Sequence, residues 1–106
     1  MITGTLVLPI DDNLRNLFHK LNLTSSKDKL YFFTLLLGAI TNDNFIFTDI
    51  VRIVKIFDRP RQARLVYNYV KNYLKPILKS YNVNNVVDIV INKNLIIIKH
   101  INSVRR

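Results

Sequence analysis

The sequence predicts a mostly α, α+β domain in which a run of helices is closed by a C-terminal β-hairpin. Three observations predict it. Apolar residues recur at steps of three and four through most of residues 14–81, the period of amphipathic helices. Two β-rich runs, Val86 to Ile91 and Leu95 to Ile101, are separated only by Asn92-Lys93-Asn94. The chain has 106 residues, 49% of them apolar, and no cysteine, which suits one core without disulfides or thiolate metal sites.

Along the chain, Thr3 to Leu8 alternates weakly and predicts a short strand ended by Pro9. Asp11 or Asp12 is positioned to cap a first helix carrying Leu14, Leu17, Phe18 and Leu21. Ser26 is the expected cap of a second helix from Lys27 to about Ala39. Leu30, Phe33, Leu37 and Ile40 form one face of that helix, and Phe32, Leu35 and Leu36 make it apolar nearly all round. A helix without a polar face is buried on both sides, so packing against a second copy through Leu30–Ile40 and the first helix is expected. Thr41 to Asn44 reads as a loop and Phe45-Ile46-Phe47 as a minimal strand. Thr48 would cap a third helix with Ile50, Val51, Ile53, Val54 and Phe57 on its apolar side. Asp58 would cap a fourth, with Pro60 in its first turn, where a missing N–H costs nothing.

The fourth helix carries two stripes. Ala63, Val66, Val70, Leu74, Ile77 and Tyr81 form an apolar one. Arg61, Arg64, Asn68, Lys71, Lys75 and Lys79 form a basic one. Pro76 predicts a kink or a break near the end. In the hairpin, the asparagines of the turn suit φ > 0. The tail from Asn102 to Arg106 reads as mobile.

Charge is divided unevenly. Before Arg52, four Lys and Arg face five Asp; from Arg52 onward, twelve face only Asp58 and Asp88. The densest cluster, Asp58-Arg59-Pro60-Arg61-Gln62-Ala63-Arg64, lies at a helix entry. Arginines there repel the helix dipole, a local cost that marks a binding surface for a polyanion.

From Phe45 onward, the order of short strand, helix, tight turn, basic helix and hairpin resembles a winged helix-turn-helix DNA-binding domain. The similarity covers roughly residues 26 to 101. Ile50, Val51 and Val54 resemble the packing positions of the positioning helix, Phe57-Asp58-Arg59 its turn, and Ala63 the small residue that lets the two helices approach. The usual glycine of that turn is absent. The resemblance implies one domain over 1–106: N-terminal strand and helix at 1–25, helical core at 26–81 with the helix-turn-helix at 48–75, and wing at 86–101. It also implies that Arg59, Arg61, Gln62 and Arg64 enter the major groove and that Lys93 sits at the wing tip. Arginine and glutamine can each fork two hydrogen bonds onto a purine edge. Asn68, Lys71 and Lys75, with Arg52 and Lys55 on the preceding helix, are candidates for the backbone or for an ordinary solvated face. So is Lys79, and Lys99 flanks the hairpin. Tyr67, Tyr69, Tyr73 and Tyr81 accompany the basic stripe as core or interface rings, or as stacking platforms for unpaired bases.

The implied function is a sequence-specific double-stranded DNA-binding protein, a small transcriptional regulator acting as a homodimer. The alternatives are a non-specific DNA or RNA-binding accessory protein of a virus or mobile element, and a small protein-interaction or inhibitor protein. No catalytic constellation is visible. His19 and His100 lack local partners in sequence, Asp11-Asp12 reads as a cap before a Mg²⁺ site, and no phosphate-binding glycine loop exists. No cofactor or metal is expected. Neither a signal peptide nor a run of about 20 apolar residues is present, so an intracellular protein without membrane contact is expected. The richness in Ile, Asn and Lys, with no Glu, fits an AT-rich genome such as a small viral or plasmid one.

Overall fold

The computed structural model describes residues 2–41 and 44–102. Strand β1 (Ile2–Pro9) leads into helices α1 (Asp12–Lys20), α2 (Ser26–Ile40) and α3 (Phe47–Ile56). A helical rod follows, built of a 3₁₀ turn (Pro60–Gln62), α4 (Ala63–Tyr69), a π turn (Val70–Leu74) and α5 (Lys75–Ser80). Strands β2 (Asn85–Ile91) and β3 (Leu95–Asn102) close the chain. The α+β architecture predicted from the periodicity is therefore present.

The sheet is antiparallel in the order β1-β3-β2. Leu6 lies opposite Ile98 and Leu8 opposite Ile96, and all four are buried under the helices. Gly4 lies opposite His100, which is also buried. A Cβ at Gly4 would stand 2.8 Å from the imidazole Cε1, so glycine is what lets that ring lie over β1. The outer face keeps Val7, Val90 and Lys99 exposed.

The predicted strand at Phe45-Ile46-Phe47 does not form. Both sides of β3 are occupied, one by β2 and the other by all eight residues of β1, so residues 45–47 do not join the hairpin as its third strand. Phe47 instead opens α3 and sets its ring edge-on to Tyr67, 5.2 Å between centroids.

Several helix starts also differ from expectation. Asp11 caps α1 as predicted, accepting from the Leu14 N–H at 3.0 Å. Helix α2 is capped by Ser25, not Ser26; its Oγ accepts from the Asp28 N–H at 3.1 Å. Thr48 caps nothing. Helix α3 begins after Ile46, whose N–H donates to the Asp49 carboxylate at 2.8 Å, the reaching-back half of a capping box. Asp58 is not an N-cap either, because it ends α3.

Three helices end in the same way. Asn22, Asp58 and Asn82 each adopt a left-handed φ, of 57°, 58° and 54°. At α3 the Asp58 N–H donates to the Lys55 carbonyl and the Arg59 N–H to that of Val54. This paired closure recurs after α1 and α5, where Leu23 and Val83 reach back to Phe18 and Leu78. It is the Schellman arrangement, usually made with glycine. Short polar side chains replace glycine here, and that accounts for the missing glycine in the turn between α3 and the rod. Asp58→Ala should cost about 1 kcal/mol, because a Cβ without a local polar group is disfavoured at that angle. Asp58→Gly should be neutral or better. Urea unfolding checks both; equal losses would assign the turn to the carboxylate and not to the backbone.

Pro76 neither breaks nor interrupts the rod. The π turn absorbs it: the Lys75 N–H reaches back five residues to the Val70 carbonyl, and the residues at both ends of the turn keep right-handed helical angles. The extra residue shifts the phase of the apolar stripe. Ala63, Val66, Val70 and Leu74 are buried as predicted, but Leu78 follows them inward. Ile77 is half-buried and Tyr81 is 55% exposed, contrary to the simple 3.6-residue extrapolation.

In the hairpin no asparagine takes a positive φ. The Asn92 side chain accepts from the N–H groups of Asn94 and Leu95 at 2.9 and 2.8 Å, and its backbone N–H donates to the Leu95 carbonyl at 3.0 Å; together these close the turn. Within α2, Phe32, Phe33, Leu36, Leu37 and Ile40 are buried inside the single chain, while Tyr31 is exposed and Leu30, Leu35 and Ala39 are half-buried. The chain's own sheet and helices supply most of the cover expected from a second copy. Residues 42, 43 and 103–106, in the predicted loop and tail, lie outside the described residues. No helix among those described is long and apolar enough to cross a membrane.

Candidate nucleic-acid interface

The rod sets its buried residues against the other helices and turns a cationic band outward. Arg61, Arg64, Asn68, Lys71, Lys75 and Lys79 are all exposed, opposite Ala63, Val66, Val70 and Leu74. No acidic residue occurs between Asp58 and Asp88. Among the described residues the ion pairs are Arg15–Asp12 and Arg52–Asp49, both at 3.4 Å, so the cations of the band are not spent on internal carboxylates.

Aromatic rings brace part of the band. Phe45 stacks on Tyr67 with centroids 6.1 Å apart, and Phe47 meets Tyr67 edge-on. The Arg64 guanidinium lies 4.7 Å from the Phe47 centroid, and the Lys75 ammonium 5.3 Å from that of Phe45. Such contacts restrict long side chains while leaving their donors free for a ligand. Phe45 and Phe47 were legible only as apolar residues of an expected strand; nothing in their spacing linked them to cations of the rod.

At the entry to the rod, Arg59 and Gln62 are half-buried, and the Arg59 guanidinium donates to the Asp58 carbonyl at 3.0 Å. Arg59 precedes the 3₁₀ turn, and regular α-helix begins only at Ala63. The expected helix start at Arg59 is thus displaced by four residues. Lys55 is exposed on α3, and Arg52 is exposed and paired with Asp49.

Two expected members stand elsewhere. Lys93 lines a cleft with Arg15, Phe18, His19 and Lys29, on the far flank of α1. The near flank of α1 faces the rod, where Asn13 and Asn16 border Asn68 and Asn72. Lys99 lies on the sheet, opposite Thr5 and Asp88.

The tyrosines divide as well. Tyr67 belongs to the band. Tyr69 and Tyr73 pack together, rings 5.3 Å apart, beside α1. Burial pushes the Tyr69 hydroxyl well above its usual range, helped by Tyr73 and Asp11. Tyr73 is raised too, by burial first and then by the Asp11 carboxylate. The Tyr69 hydroxyl is buried without a hydrogen-bond partner among the described residues. Tyr69→Phe should therefore stabilise the fold by about 1 kcal/mol, since it removes a desolvated group that gains no bond. The gain should grow at alkaline pH. An unfolded tyrosine ionises near pH 10 while the buried one stays neutral, so ionisation leaves stability unchanged below that pH and lowers it further as pH rises. Thermal unfolding of both proteins at neutral pH and at about pH 10.5 reads the difference.

No family model, curated protein or solved structure matches the chain. Among the described residues, no group of three or more His or Asp could hold a metal ion.

Proposed function

We propose that this protein binds double-stranded DNA through the outward face of the rod, as a small sequence-specific regulator of the winged-helix type. The observation that carries the reading is the band itself: exposed cations on one helical face, unneutralised by acids and partly steadied by rings beneath them. Arg61, Gln62 and Arg64, with Arg59 behind them, are the groups placed to read base edges; Lys71, Lys75 and Lys79 follow the backbone. The third strand comes from the N-terminus and not from residues 45–47, so the likeness to a winged helix rests on α3, its turn and the rod.

The experiment is a titration of random-sequence duplex DNA at rising salt. Each cation that displaces condensed counterions contributes a slope of about −0.9 in log K against log salt, so Arg61, Arg64, Lys71, Lys75 and Lys79 together should give a slope of about −4 or steeper. A flat dependence, or no binding at low salt, overturns the reading. Sizing the protein with and without DNA reports whether a second copy joins it.

A further inference from the structure

The hairpin tip does not lie beside the rod, and the cleft it enters is lined by basic side chains from three separate elements. Arg15 and His19 come from α1, Lys29 from the first turn of α2, and Lys93 from the β2–β3 turn. The remaining polar lining is neutral, from Asn22 and Thr24. Phe18 forms part of the wall, and the Lys29 ammonium lies 5.5 Å from its centroid, which holds that charge at the edge of the cleft. No carboxylate lines the cleft, although Asp11 and Asp28 adjoin the lining residues Ile10 and Lys29 in sequence. Arg15 also meets the fully exposed Asp12 carboxylate at 3.4 Å, an exposed pair that water screens. The volume is about 360 Å³, room for a phosphoryl group with part of its carrier.

The Ile10 N–H donates to the Asn94 carbonyl at 2.8 Å, which fixes the hairpin tip beside the start of α1. Arg15, Lys29 and Lys93, from three elements, thereby line one concave surface. Convergence of positive charge around a concave surface focuses its field on whatever enters. A phosphate matches it best, being compact, anionic and rich in acceptors for arginine and lysine donors.

We propose that this cleft is a second anion site, taking a phosphate group on the opposite flank of α1 from the band. The source of the phosphate is either the backbone of the bound nucleic acid or a free phosphorylated small molecule. In the first case the site deepens the proposed function, and that case alone rests on it. The band and the cleft would then grip a nucleic acid from both sides of α1, a helix about 10 Å across.

The test uses the full chain and the double variant Arg15→Gln/Lys93→Gln, with thermal unfolding confirming that the variant folds. In one arm, inorganic phosphate is titrated and amide chemical shifts are followed residue by residue. Saturable shifts at Arg15, His19, Lys29 and Lys93, lost in the variant and kept when the band is neutralised, support the site. In the other arm, duplex DNA affinity is measured against salt. A slope shallower by about 1–2 in the variant assigns the phosphate to the DNA backbone. An unchanged slope with lost phosphate shifts assigns it to a free ligand. Shifts that are absent or spread over all basic residues, together with an unchanged slope, overturn the proposal. Because the phosphate arm needs no DNA, a chain that fails to bind duplex at all still reports on the cleft.

Discussion

Replacing Arg61, Arg64, Lys71 and Lys75 together by alanine should lower the affinity for duplex DNA by about three to four orders of magnitude at 0.1 M salt. The estimate follows from counterion release. A slope of about 0.9 per contact, over the decade from 0.1 to 1 M, makes each contact worth just under tenfold. The same variant should flatten the salt dependence by about 3–4 in slope. Its fold should survive, because all four side chains are exposed. The loss of two ring contacts, Arg64 on Phe47 and Lys75 on Phe45, costs about 1–2 kcal/mol in sum. Single replacements separate reading from holding. Arg61→Ala or Arg64→Ala should lose about 1–3 kcal/mol of discrimination at one base position. Lys71→Ala and Lys75→Ala should weaken all sequences alike. Four single variants with the same uniform loss would reduce the function to non-specific binding. An unchanged affinity in the quadruple variant would remove the band from the interface altogether.

Local patterns carried most of the fold. Helix positions followed from steps of three and four, the hairpin from two β-rich runs, and a cap at Asp11 or Asp12 from their place before Leu14. What could not be read was mostly pairing at a distance. One partner of β3 is an N-terminal strand 86 to 100 residues away in sequence, and 45–47 also reads as a minimal strand. Only the register over eight residues decides between them. The fate of Pro76 was hidden for a different reason. A proline in a helical pattern can kink, break or enter a π turn, and the choice depends on which residue the core then accepts. Here Leu78 packs better than Ile77, and the phase shifts accordingly.

The candidate site divides along the same line. Its one-helix component was legible, because Arg61, Arg64, Lys71 and Lys75 share a face by spacing alone. Its multi-element components were not. Phe45 and Phe47 reach the band from before and within α3, and Lys93 leaves it for the far side of α1. Asp58 was recognised as belonging to the turn, but composition could not tell an N-cap from a left-handed C-terminal stop. Both uses favour the same short polar side chain.

The placement of the band depends on a core that the charge pattern does not reveal, and Phe32 tests that dependence. Its ring is fully buried and stands edge-on to Phe18 of α1, 6.5 Å away, and to Phe57, 5.7 Å away. Phe57 is the last residue before the left-handed Asp58 and is flanked on its other side by Tyr31 at 5.4 Å. Phe32 thus joins the first helix to the turn that aims the rod. Phe32→Ala should cost about 3–5 kcal/mol, from lost burial and the cavity left behind. That is a large share of the 5–15 kcal/mol typical of a whole domain, so the variant should be studied well below its melting temperature. Leu8→Ala is the matched control: it also empties the core, at about 2–5 kcal/mol, but in β1, on the sheet side. Under conditions where both variants are fully folded, Phe32→Ala should bind duplex DNA about fivefold more weakly than Leu8→Ala. The difference is the cost of re-ordering a loosened turn residue on binding, about 1 kcal/mol. Equal affinities would mean that the turn holds its angle through the Schellman bonds alone, and that the aromatic chain serves stability without setting the aim of the rod.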